Sequence, residues 1–247
     1  MYNNQAVKGG YHIRPVLFCG DISNKQEETL SSMGYQVIRL PAFSHLDERV
    51  ATHPDMLLFV LDHRILLQKA YFEANKDFFL SLPFSFITTD EEMGKSYPQD
   101  VLFNALPIGN TVYGGKRISH TIEAFFPRKI TVKQGYTRCS SCLVGNGVIT
   151  QDPTVYQALK DDHIPALLIS QGHIHLTGYD TGFIGGASLT LSPNLTAFFG
   201  QIESHPDYER MKDFATQRNA TLLSLSNEPL TDYGGGFCLH HTSSTFP

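Results

Sequence analysis

Apolar residues recur along the chain in short runs of strand length, separated by turn signals and by segments of helical spacing. VLFCG (16–20) reads as a strand, NKQEETLSSMG (24–34) as a helix and YQVIRL (35–40) as a strand. Residues 56–68 read as a hairpin, 70–80 as an amphipathic helix and 84–88 as a strand. The order repeats with a hairpin over 101–113, a helix over 117–125 and a strand over 129–133. It repeats again with strands at 139–144 and 147–150, a helix beginning QDP with Asp152 as cap and Pro153 in the first turn, and a strand at 164–170. A fourth passage runs through GFIGGA, LTAFFGQI, a helix started by Pro206 and the strand TLLSLS.

The starts of these passages resemble one another. QGYTRCSSCLV (134–144), TGYDTGFIGGA (177–187) and TDYGGGFCLHH (231–241) each set a tyrosine ahead of a small-residue turn and a short strand. HPDMLLF (53–59) and YPQDVLFN (97–104) are weaker relatives, with Asp55 or Asp100 ahead of the apolar run. The last passage has only its first half, and the missing half stands at the other end of the chain. The expected fold is therefore a single α/β domain over 1–247, made of five strand–strand–helix–strand blades. These cover about 53–96, 97–133, 134–176, 177–230, and 231–247 closed by 15–41. Closing the ring also removes exposed sheet edges. An open doubly wound sheet shows a similar alternation, but no G-x-G-x-x-G follows the first strand.

Composition adds limits. Hydrophobic residues make up 41% of 247 and leave room for a full core; the net charge of −5 carries no nucleic-acid footprint. The first residues hold no apolar stretch like a signal peptide, and the longest apolar run is too short to span a bilayer. Four cysteines do not suggest a disulfide scaffold, so a reducing, cytoplasmic setting is expected.

Five such units with a terminal Gly-Gly-x-x-Cys, here Gly234, Gly235, Gly236, Phe237 and Cys238, resemble the pentein fold. This is the five-bladed α/β propeller of the deiminases, dimethylargininases and amidinotransferases that act on guanidino groups. In that family a cysteine attacks the guanidinium carbon, a histidine moves protons and two carboxylates hold the planar cation. The resemblance implies Cys238 as nucleophile; by strand alternation His240, two residues along the same face, is a candidate to serve as its partner. Its histidine–x–aspartate motif falls on Gly178, Tyr179 and Asp180, so the aspartate is kept and the histidine is not. Its Glu-Gly-Gly-Asp falls on Gln134, Gly135, Tyr136 and Thr137, without either acid. Asp180 is expected to line the central pocket, with Asp55 and Asp100 as further cation-holding carboxylates. By the same strand alternation, His53 would share a face with Asp55, and His173 with His175. Arg138, if it faces the axis, would favour an anionic group such as a substrate carboxylate.

The expected function is a cysteine-dependent hydrolase or amidinotransferase-like enzyme for a small guanidino or amidino compound, using no cofactor and no metal. The alternative is a non-catalytic pentein that binds a partner, motivated by the missing histidine and acids. A third reading, a redox or metal role for Cys139-x-x-Cys142, lacks two further ligands at suitable spacing. That pair is read as coincidence on a strand, its two thiols on opposite faces. The glycines of TGFIGG (181–186) are read as letting strands crowd the inner ring, since a strand rather than a helix follows.

Overall fold

The computed structural model describes residues 15–239. Its elements in chain order are β1 (Val16–Cys19), α1 (Asn24–Ser32), β2 (Gln36–Arg39), α2 (Pro54–Leu57), β3 (Leu58–Leu61), β4 (Arg64–Gln68), α3 (Lys69–Ala74), α4 (Lys76–Leu80) and β5 (Ser85–Thr89). Then come β6 (Leu106–Ile108), β7 (Thr111–Gly114), α5 (His120–Phe125), β8 (Arg128–Thr131), β9 (Ser141–Val144), β10 (Gly147–Thr150), α6 (Pro153–Asp161) and β11 (Ala166–Leu168). The last are β12 (Ser188–Ser192), β13 (Leu195–Phe198), a 3-10 turn (Ile202–Ser204), α7 (Tyr208–Thr216), β14 (Thr221–Ser224) and β15 (Gly236–Leu239).

These strands form five three-stranded sheets. In each, the first two strands are antiparallel and the third lies parallel to the middle one after a helical crossover. The fifth sheet is made from both ends of the chain. β15 pairs antiparallel with β1, Cys238 opposite Leu17, and β2 completes it in parallel.

The core shows why the sheets close into a ring. Each middle strand is buried on both faces, and its alternate residues enter two different clusters. Val16 and Phe18 pack with the first blade through Leu57, Ile65, Leu67 and Tyr71, while Leu17 and Cys19 pack with the fourth through Leu189, Ala197 and Phe199. On β4, Ile65 and Leu67 face the fifth blade and Leu66 the second. Val112 and Tyr113 divide in the same way between the first and third blades, and Val148 and Ile149 between the second and fourth. Five clusters thus fill five blade–blade interfaces.

Local signals explain most helix ends. Ser23 and Gln26 form a reciprocal cap at α1, and Asp152 accepts from Thr154 and Val155 at the start of α6, behind Pro153. Replacing Asp152 with Ala should cost about 1 kcal/mol in urea unfolding, since it leaves those amides without their acceptor.

Several expectations are corrected. The helix over 70–80 is two short helices, broken at Asn75 (φ −126°, ψ 31°), whose side-chain amide donates to the Tyr71 carbonyl. His53 and Asp55 do not lie on a strand: His53 caps the single turn of α2 and Asp55 is inside it, because Pro54 favours a helix start. Residues 101–105 are turns rather than the first arm of a hairpin. Cys139 sits in the turn before β9, so the alternation expected of Cys139 and Cys142 does not apply. His173 and His175 are exposed in a loop, where only His175 makes a bridge, to Thr231.

Candidate active site

Each blade is preceded by a turn that enters its first strand, and ring closure brings these five turns to one end of the axis. Together they line a cavity of about 320 Å³, within the range of small-molecule sites. The turn before β3 supplies His53 and Met56, that before β6 Asp100, and that before β9 Tyr136 and Cys139. Tyr179, Asp180, Thr181 and Phe183 come from the approach to β12, and Asp232 from the approach to β15.

The floor is a buried cluster of ionisable groups. Asp55 is 1% exposed and Asp232 is 3% exposed. The Cys139 thiol lies between the cavity and Asp55, donating to Asp55 Oδ2. Asn104, fully buried on the neighbouring turn, holds that cysteine from two sides. Its Nδ2 donates to Cys139 Sγ at 3.3 Å, and its Oδ1 accepts from the Cys139 amide at 3.0 Å. Asp55 Oδ1 is buried with no hydrogen-bond partner. Asp232 is anchored by the amides of Phe183 (2.9 Å) and Gly234 (2.8 Å), and its Oδ1 stands 3.8 Å from His53 Nδ1. On another wall, Asp100 Oδ2 accepts from the Tyr136 hydroxyl at 2.8 Å, and Asp100 Oδ1 is buried without a partner.

These surroundings set the charges. Burial, then the charge of Asp232, pushes Asp55 up to about 7, against the lowering effects of Cys139, Arg138 and Asn104. Burial also raises Asp232 and Asp100. It lowers His53, outweighing the attraction of Asp232. The Cys139 thiol lies well above its ordinary value, through burial first and then the charges of Asp55 and Asp232. The resting floor therefore favours a neutral imidazole and an undissociated thiol. It also holds carboxylates in a place where ionising them is costly.

Two glycines let the floor assemble. Gly234, at φ +75°, lies against His53; a Cβ there would come within 2.3 Å of His53 Cβ. A Cβ on Gly186 would fall 1.9 Å from Asp232 Oδ1. At the rim, Arg49 pairs with Asp47, lies 4.3 Å over the Tyr179 ring and donates to the Gly178 carbonyl. Gly178 has φ +78°, and a Cβ there would meet Arg49 Cδ at 2.5 Å. The imidazole that lines the cavity is that of His53.

The residues singled out in the sequence are only partly brought together. Asp100 and Asp180 line the cavity, Asp180 at its exposed rim, and Asp55 lies under the floor behind Cys139. Arg138 is buried and is not among the residues lining the cavity; its guanidinium donates to the Ser141 carbonyl, and its Cζ lies 5.7 Å from the centre of the Phe237 ring. Cys238 is turned elsewhere. On β15, Phe237 and Leu239 face the first blade, so Cys238 packs into the cluster shared with the fourth blade, where burial raises it to about 11. His240 lies outside the described residues. Sequence reasoning missed Cys139, Asp232, His53 as a cavity residue, and Asn104. The signal was the recurrent turn itself: Asp232 immediately precedes Tyr233, and Cys139 follows Tyr136. Among the described residues, no group of three His, Cys, Asp or Glu side chains is placed to hold a metal, and no helix is long and apolar enough to cross a membrane.

Solved structures of similar architecture are guanidino-modifying enzymes. An amidinotransferase of the saxitoxin biosynthetic pathway from Microseira wollei is 10% identical, with 90% of this chain and 80% of that chain covered and a TM-score of 0.56. C. jejuni agmatine deiminase is 8% identical over 93% and 94% of the two chains, also at 0.56. The inosamine-phosphate amidinotransferase of Streptomyces griseus is 11% identical over 89% and 81%, at 0.54. At such identities the likeness is one of fold, and the fold is the pentein propeller. No curated protein sequence matches the chain. Residues 18–237 match the model of DUF6873, a family of unknown function, and the chain belongs to that family, as a member with the five-bladed pentein fold.

Proposed function

We propose that the axial cavity is the active site of a cysteine-dependent enzyme that takes a small guanidino or amidino compound, in the manner of a hydrolase or amidinotransferase. One observation carries this reading. Asp100 keeps a buried carboxylate oxygen without a partner on the wall of a cavity of small-molecule size, Asp55 keeps another beneath its floor, and among the described residues neither is in an ion pair. A planar cation able to donate several N–H bonds would satisfy the Asp100 oxygen and face Asp232, and its charge would offset that of Asp55 below the floor. The aromatic walls of Tyr136, Tyr179 and Phe183 suit the flat face of such a group. The fold shared with guanidino-modifying enzymes supports the same substrate class.

Calorimetric titration tests it. Methylguanidine and agmatine should bind, whereas methylurea, of like shape and neutral, should not. Since a cation favours the ionised form of Asp55, binding near pH 6.5 should release protons to the buffer. Asp232→Asn should weaken methylguanidine at least tenfold. Equal affinity for methylurea and methylguanidine would rule the reading out.

A further inference from the structure

The glycine-rich strand at the chain's end and the turn before β9 both carry a thiol, and only one of them faces the cavity. Resting on the guanidino/amidino reading above, we propose that the nucleophile is Cys139, with Asp55 as the acceptor of its proton, and that Cys238 takes no part in the chemistry.

Geometry carries the assignment. Cys139 lines the cavity and is 4% exposed, so it is reachable from that side alone. Its thiol already points its hydrogen at Asp55 Oδ2, and a carboxylate within hydrogen-bond reach of a thiol is the arrangement a general base requires. Asn104 restrains the residue through both its sulfur and its amide, so Sγ is held in place. The same Asn104 Nδ2 donates toward Sγ, which favours the thiolate as the proton leaves. A second, independent mark of a ligand stands on the cavity wall. Asp100 lines it with a buried, unpartnered Oδ1, and Asp55 Oδ1 is likewise unmatched beneath. Cys238 does not line that cavity and packs with Leu17, Cys19 and Leu189.

The step balances within this site. Sγ–H breaks, its proton passes to Asp55, and Sγ bonds to the amidino carbon. The C–N bond to the leaving amine then breaks, and that nitrogen takes the proton from Asp55. Water adds to the S-linked carbon and the C–S bond breaks. One proton of that water restores the thiol, and the other leaves with the amine as ammonium. A substrate cation next to Sγ stabilises the thiolate at the moment of attack, which offsets the two carboxylates that oppose it at rest.

The test uses 2-chloroacetamidine, an amidinium bearing a displaceable chloride, and its neutral counterpart 2-chloroacetamide, with the modified cysteine read by peptide mass spectrometry. The native protein should be labelled at Cys139, at least tenfold faster by the amidinium reagent. Cys238→Ala should leave that rate unchanged. Cys139→Ala should abolish the adduct while keeping the unfolding midpoint and methylguanidine binding, which separates loss of the nucleophile from loss of the fold. Amidinium-selective labelling at Cys238 instead would overturn the Cys139 assignment and leave the cation reading standing. Labelling of Cys139 by both reagents at one rate, with no methylguanidine binding, would overturn the cation reading and the proposal that rests on it.

Discussion

Asp55→Asn should make the protein more stable, and increasingly so as pH rises. Asp55 is held near 7 in the folded protein, while an unfolded chain returns it to the ordinary value of 3.8. Between those values the folded state binds the extra proton, so folding stability falls as pH rises. The favourable contribution of the protonated carboxyl is fully present below the unfolded value and is lost as pH rises through about 7. Integrated over the whole shift, the cost is roughly 4 kcal/mol, of which about 2.5 kcal/mol develops between pH 5 and 8. Asparagine removes the ionisation and keeps the shape. Urea unfolding of both proteins at several pH values checks this: the gap should widen across that range. His53 is shifted down, so its contribution has the opposite sign, strengthening the fold as pH rises toward its ordinary value, but it is common to both proteins and cancels in the comparison. Curves that stay parallel from pH 5 to 8 would show that Asp55 is not perturbed. A more stable variant is what a buried carboxylate not kept for folding should produce.

The second large effect is expected at Gly186. This residue joins three parts of the site. Its amide donates to the Cys139 carbonyl, and its own carbonyl accepts from Tyr233 and Gly235. Its missing side chain is the space filled by Asp232, whose Oδ1 and Cγ would lie 1.9 and 2.3 Å from an added Cβ. Gly186→Ala must therefore drive the Asp232 carboxylate from its seat. It would give up the part-buried Phe183 amide and the buried Gly234 amide, each then left without its acceptor. The expected cost is roughly 2–4 kcal/mol of folding stability. Methylguanidine affinity should fall more than tenfold in the same protein. Urea unfolding and calorimetry read the two effects separately. An alanine variant matching the parent in both would mean that Asp232 has room to stay, contrary to the packing.

Fold and site were legible to different depths. The turn-strand-strand-helix-strand recurrence is a local property of spacing, caps and prolines, so it stands in the chain whatever its neighbours do. Asp152–Pro153 before α6 and the capping box of α1 are cases where the residues alone suffice. The two half-blades at the chain ends also imply their own pairing, which β1 and β15 make. Boundaries failed where a turn's geometry overrode the pattern, as at Asn75 and at the one-turn helix holding Asp55.

What the chain by itself determined is the number of blades, their order and the position of five turns that must meet if the ring closes. Which side chain of each turn faces the axis was decided only by the tertiary structure. A strand's alternation gives two faces but not which neighbour each face meets, and the packing of Phe237 against the first blade is what sends Cys238 into the cluster with the fourth. A turn has no such period at all. There, positive-φ glycines such as Gly234, the absent Cβ of Gly186 and contacts from other blades bring Cys139, Asp55, Asp232 and His53 to one floor. Those contacts join residues far apart in the chain, and no local pattern encodes them.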